Sequence, residues 1–340
     1  MSTMVTSPES ATPKPRASRD TMVDWFRLFL AASVCATHLK DFYKVDILYE
    51  AIWAVPGFLA ISGYYVLQSY EKSSSWRSFF WKRFLRVMPA FVVSLYICWL
   101  ISGTDGITQS LRYYFTLGLT TYRGVPNTNL WSLFAEELCY VLLAILFTLG
   151  AYKIRWPIWI AFLVSSAFST WQAGHATPDQ FYIPILWNIF PSFFAGSLVY
   201  IYRDKIKGAD WRGFVLVIGA ILLPYVHIFH PYIWAGSWIP GLLMGVGILW
   251  VRRLPMPKIV DISYGVYIYQ IPIFWLCNFH LQLYLSALLY FCVTSWYLIE
   301  KPALRLKNWR PGRSGAPTPV IEQAPQQTQD LIAETGATPQ

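Results

Sequence analysis

The residues best placed to do chemistry are the few ionisable ones inside apolar stretches. Arg27 and His38 share one such stretch, eleven residues apart. On an α-helix that spacing is three turns plus about 20°, so both side chains lie on one face, separated by roughly 16 Å of rise. A neutral imidazole takes a proton from a hydroxyl. A guanidinium stays protonated and instead holds a carboxylate, a phosphate or a developing oxyanion. The pair therefore reads as a base and an electrostatic anchor. The competing reading is a snorkelling arginine and an interfacial histidine, and the shared face counts against it.

Two further groups stand out. In Trp131-Ser132-Leu133-Phe134-Ala135-Glu136-Glu137-Leu138-Cys139-Tyr140, adjacent carboxylates open an apolar run. Helical neighbours point about 100° apart, so one acid is expected to face the bundle interior and the other the interface. Acids favoured by a helix N-terminus are the alternative. In Trp81-Lys82-Arg83-Phe84-Leu85-Arg86-Val87-Met88-Pro89, Arg83 and Arg86 fall on one face. Two guanidinium forks suit a diphosphate or another polyanion, although spacing alone favours ordinary anchoring at the cytoplasmic surface. The five cysteines lie in apolar stretches without C-x-x-C spacing or a histidine at ligand distance. They read as small buried hydrophobes, and no metal is expected.

The elements that must position these groups follow from composition. Of 340 residues, 55% are hydrophobic, 18% aromatic and only 13% charged, against about 25% charged in soluble domains. Such an apolar surplus exceeds what one soluble core buries and points to an all-α, polytopic membrane bundle. Ten apolar spans are expected at 22–39, 51–69, 87–103, 131–149, 156–171, 183–201, 212–230, 236–251, 263–279 and 281–298. Several fall short of the ~20 residues that cross ~30 Å of hydrocarbon. A short interfacial helix is expected around 111–119, and a tight turn near Asn278–His280. Residues 1–20 and 311–340 are polar and aperiodic and read as disordered tails around a membrane domain at 21–310.

The net charge of +9 fits this reading. With both termini cytoplasmic, 22 of the 27 basic residues fall on the cytoplasmic side and four outside, with Arg27 inside a span. That asymmetry follows the positive-inside rule and explains the charge without nucleic acid.

Taken in order, these features resemble acyltransferase family 3, polytopic and mostly bacterial membrane enzymes. Arg27 and His38 match the family's Arg-x10-His. Pro56-Gly57-Phe58-Leu59-Ala60-Ile61-Ser62-Gly63-Tyr64 is similar to its Gly-Phe-Phe-x-x-Ser-Gly-Phe. Arg83, Arg86 and Pro89 match its Arg-x-x-Arg and following proline, and residues 131–140 its Trp-Ser-Leu-x-x-Glu-Glu-x-x-Tyr. Phe193-Phe194-Ala195-Gly196, Asp261-Ile262-Ser263-Tyr264-Gly265-Val266-Tyr267-Ile268 and Glu300-Lys301-Pro302 resemble later family runs. One position departs: Gln270 stands where the family usually has a histidine, and Gln hydrogen-bonds but is no base.

The resemblance implies an O-acyltransferase of the inner (cytoplasmic) membrane. It moves an acyl group, most often acetyl, from acyl-coenzyme A onto a hydroxyl of a glycan or lipid-linked sugar. It implies catalytic roles for His38, Arg27 and Glu136, with Glu136 orienting His38 or stabilising its charged form. Arg83 and Arg86 are then expected to bind the donor's phosphates. Ser62, Trp131, Ser132 and Gln270 are expected on the substrate side. The rival reading is a glycolipid transporter or flippase, which explains the spans equally well but gives no role to Arg-x10-His together with Arg-x-x-Arg.

Overall fold

Each of the ten apolar stretches contains a helix in the computed structural model, which describes residues 20–43, 51–120, 124–175, 187–223, 238–278 and 280–308. In chain order these are α1 (Thr21–Tyr43), α2 (Ala54–Glu71), α3 (Trp76–Phe115), α4 (Leu130–Thr148), the single turn α5 (Ala151–Ile154) and α6 (Trp156–His175). They continue as α7 (Ile189–Ile201), α8 (Gly213–Leu222), α9 (Ile239–Val251), α10 (Ser263–Leu276), α11 (Leu281–Ser295) and α12 (Lys301–Arg305), with a π-turn at Trp296–Glu300. No strand occurs among the described residues. Contacts divide the chain into Met1–Lys307 and Asn308–Gln340. The expected tails lie outside the described residues, except Asp20.

Among the described residues, four stretches are long and apolar enough to cross a membrane: Thr21–Lys40, Trp76–Phe115, Leu130–Thr148 and Leu281–Arg305. Ile189–Ile201, Gly213–Leu222 and Ile239–Val251 are shorter apolar helices. Val141, Ile145, Leu163, Val164, Leu283 and Leu289 are exposed, an apolar exterior suited to lipid rather than water.

The region after the third span differs from expectation. Ser75 accepts from the Ser78 backbone N–H at 3.2 Å and caps α3. The helix then runs to Phe115, interrupted only at Ser102 and Gly103, where Gly103 takes φ 61°. The helix expected around 111–119 therefore begins directly after that break and ends at Phe115. The turn between α10 and α11 is where it was expected, with Asn278 at φ 46°.

Small residues set the helix packing. Beside Gly63 of α2 and Gly196 of α7 lie the partner helix's own carbonyls, from Phe193 and Ala60 respectively. Gly241 and Gly245 of α9 similarly meet Pro56 and Ala60 of α2. In lipid, where no hydrophobic effect draws helices together, such close backbone approach supplies the dispersion contacts that hold a bundle. α2 is thereby held between α7 and α9. Opposite, α1 packs on α10, and the Cys35 sulfur lies 2.9 Å from the Tyr284 hydroxyl oxygen of α11. All five cysteines are buried.

Candidate active site

The helices leave a cavity of about 120 Å³ between them, and its wall gathers residues from five elements. α1 contributes Arg27, α2 Ser62 and Tyr65, and α3 Arg83 and Arg86. α4 contributes Ser132, Glu136 and Tyr140, and α10 Ser263, Tyr264 and Tyr267. Six residues singled out in the sequence thus meet in one place: Arg27, Ser62, Arg83, Arg86, Ser132 and Glu136.

At its centre, Glu136 Oε1 accepts hydrogen bonds from the Ser62 hydroxyl and, at 2.6 Å, from the Tyr140 hydroxyl. Glu137, one residue on, turns away and accepts from Tyr114 of α3. The two acids face different partners, as helical geometry requires. Tyr140 is buried, so its O–H can hold the carboxylate oxygen without competition from bulk water. This arrangement corrects one expectation: Glu136 bonds to Ser62 and Tyr140, not to His38.

Arg83 and Arg86 also part company. The Arg83 Nη2 donates to Ser69 Oγ at 3.2 Å, and its guanidinium carbon lies 5.8 Å from the Tyr140 ring centre. Its Nε is buried with no hydrogen-bond partner. A buried unmatched N–H is costly, and it leaves Arg83 with donor capacity for an anion. Arg86 is already committed, since its Nη2 donates to Asp261 Oδ2 at 2.7 Å. Asp261 Oδ1 accepts in turn from Ser263 at 2.8 Å. Burial alone would push the Asp261 carboxyl upward, but Arg86, then Arg27 and the hydrogen bonds from Ser263 and Arg86, hold it well below the usual carboxylate range. The two arginines are therefore not a matched pair of phosphate forks. One is engaged by the start of α10, and the other faces the cavity partly unsatisfied.

A wider positive field surrounds Arg83. Trp81 Nε1 donates to the Leu306 carbonyl at 3.3 Å, bringing Lys307 beside the start of α3. Partial desolvation, then Arg86, Arg83 and Lys82, lower the Lys307 ammonium from its usual value. Arg27 on the facing helix lies 5.4 Å over the Tyr65 ring and 3.9 Å from Asp24.

His38 and Gln270 form a second centre, off the cavity wall. The His38 Nδ1 lies 3.3 Å from Gln270 Oε1, and Gln270 Nε2 donates to the Tyr267 carbonyl at 3.1 Å. Pro272 explains why acceptors are open here. It lacks the N–H that would bond Ile268 O, and its ring opens the preceding turn. Asn127 then donates to Ile268 O at 3.0 Å and Asn129 to Tyr267 O at 2.9 Å. The loop before α4 is thus fastened to α10. Trp131 is buried in the hydrophobic core and does not line the cavity, so its expected place on the substrate side is not observed. Tyr140 and Asp261 entered the sequence reading only as ends of motif runs, with no role assigned, and Asn127 and Asn129 were not singled out. For the asparagines the available signal is Pro272, whose missing N–H leaves the Ile268 carbonyl in need of a donor.

A membrane helix bundle with an internal cationic cavity and a carboxylate–hydroxyl pair is the setting of a membrane-embedded group transferase. Residues 21–299 match the family model described as an acyltransferase domain, and the chain belongs to that family, acyltransferase family 3. It is a membrane acyltransferase. Nodulation protein 10 of Rhizobium leguminosarum bv. viciae is 26% identical over 358 residues, covering 84% of this chain and 93% of that protein. No solved structure matches the chain.

Proposed function

We propose that this acyltransferase moves an acetyl group from acetyl-coenzyme A to a hydroxyl of a cell-surface or exported glycan. The observation that carries the reading is the cavity itself, where Arg27 and Arg83 face a hydrogen-bonded Ser62–Glu136 pair. The donor supplies a thioester-activated acyl group and a polyphosphate to grip. Arg83 is the main phosphate ligand in this reading, because Arg86 is already paired with Asp261 whereas the described partner of Arg83 is the neutral Ser69 hydroxyl. Lys82 and Lys307 add charge at the same end, and Arg86 chiefly positions α3 against Asp261. His38 takes the acceptor's proton. Membership in an acyltransferase family favours transfer over the transporter alternative.

Donor binding tests this. Charge-assisted contacts to phosphate contribute about 1.5–3 kcal/mol each, so Arg83→Ala is expected to weaken acetyl-coenzyme A binding roughly tenfold to a hundredfold. Arg83→Lys should be milder, since lysine lacks the bidentate fork. Arg86→Ala should instead appear mainly as lost thermal stability, because it leaves Asp261 buried without its cation. Calorimetry on protein in nanodiscs gives both readings. Unchanged donor affinity in Arg83→Ala would remove the phosphate site.

The basic asymmetry supports an inner-membrane orientation with cytoplasmic termini. A cysteine introduced by Lys205→Cys should then react with a membrane-permeant maleimide and resist an impermeant one in intact spheroplasts. Labelling by the impermeant reagent would reverse the orientation. The native cysteines, all buried, give little background.

A further inference from the structure

We propose that Ser62 carries the acyl group between donor and acceptor as an ester on its Oγ, with Glu136 as the base that activates it. This deepens the reading above and rests on its thioester donor. An activated nucleophile is recognised by a hydroxyl bonded to a base that a third group orients. Ser62, Glu136 and Tyr140 form that arrangement: both hydroxyls donate to the same carboxylate oxygen, and all three residues line the cavity. Arg27 lines the same wall and adds positive charge beside the reacting centre, where an oxyanion would develop. Ser132, the other serine that α2 and α4 present to the cavity, has no such base. Its hydroxyl is engaged with the Asn129 carbonyl at 3.1 Å and the Tyr267 hydroxyl.

The placement of His38 supports two steps. Here one base, Glu136, sits beside a nucleophile in the cavity, while His38 is paired with Gln270 off its wall. In the first half-reaction Ser62 Oγ attacks the thioester carbonyl, Glu136 takes the hydroxyl proton, the C–S bond breaks and coenzyme A leaves as its thiolate. In the second the acceptor oxygen attacks the Ser62 ester and its proton passes to His38 and on to solvent. The ester C–O bond breaks, and Glu136 returns its proton to Oγ. Thioester and alcohol become ester, thiolate and one released proton, with no oxidant or reductant.

The test uses the full-length protein in detergent with acyl-labelled acetyl-coenzyme A and no glycan. The wild type should take up label to about one acyl group per chain, mapping to the Ser62 peptide and released by hydroxylamine. Ser62→Ala should lose the label while binding acetyl-coenzyme A within about twofold of wild type, a loss of well under 1.4 kcal/mol that shows the fold intact. Ser62→Cys should retain it as a thioester. Cells carrying Ser62→Ala should show no acylated surface glycan by mass spectrometry. Normal glycan acylation by Ser62→Ala, or wild-type thioester consumption with no label at Ser62, overturns the proposal and leaves the donor reading standing. A wild type that binds no acetyl-coenzyme A and consumes none overturns both.

Discussion

His38→Ala is expected to lower acyl transfer by roughly 10²- to 10⁴-fold, the usual contribution of a positioned general base, while folding and donor binding persist. The hydrogen-bond network defines its chemistry. Gln270 Nε2 donates to the Tyr267 carbonyl, and Gln270 Oε1 is the atom turned toward His38. An amide oxygen only accepts, so in this pairing His38 Nδ1 donates and the ring is held in one orientation. Gln270 thus does for His38 what an orienting acceptor does in other base-containing sites, and its departure from the family histidine does not remove the base. Gln270→Leu should cost less than His38→Ala, because it frees the tautomer without deleting the imidazole. Mass spectrometry of surface glycans reports transfer, and calorimetry reports the donor. Under the two-step scheme, His38→Ala should also accumulate label on Ser62. Normal glycan acylation in His38→Ala would end its role as base.

Gly196→Ala is expected to be strongly destabilising. A Cβ at Gly196 would land on the Ala60 carbonyl of α2, and one at Gly63 on the Phe193 carbonyl of α7. These are backbone atoms, so no rotamer change relieves the clash and α2 must move away bodily. Overpacking of a core typically costs about 1–3 kcal/mol and occasionally more, and this contact belongs at the upper end. Displacing α2 also carries Ser62 away from Glu136, so activity should fall with stability. Gly219→Ala is the control, since a Cβ there meets nothing within 4 Å. Thermal unfolding in detergent separates the two: a marked drop for Gly196→Ala and none for Gly219→Ala. Equal melting temperatures would mean that α2 and α7 are not locked at this contact.

Much of this protein follows from residue types and their order alone. Apolar runs bounded by polar turns dictate helices, because backbone groups in lipid must bond within their own segment, and a helix stands in each expected stretch. The candidate residues were also legible, since an ionisable group in an apolar run is costly wherever the helix ends up. Helical spacing correctly sent Glu136 and Glu137 to different partners. Spacing did not reveal the partners themselves. Arg86 and Arg83 share a face, yet Arg86 is bound to Asp261, 175 residues away, while Arg83 keeps an unpartnered Nε. Glu136 meets Ser62 across 74 residues, and His38 meets Gln270 across 232. Such pairings depend on which helices pack and in what register. That is decided by close helix contacts at Gly63, Gly196 and Gly245 and by the Ile268 carbonyl that Pro272 leaves unbonded, at a scale of ångströms that periodicity does not encode. The chemistry available was therefore set by the sequence, whereas its division into a Ser62–Glu136 centre and a His38–Gln270 centre was set by helix packing.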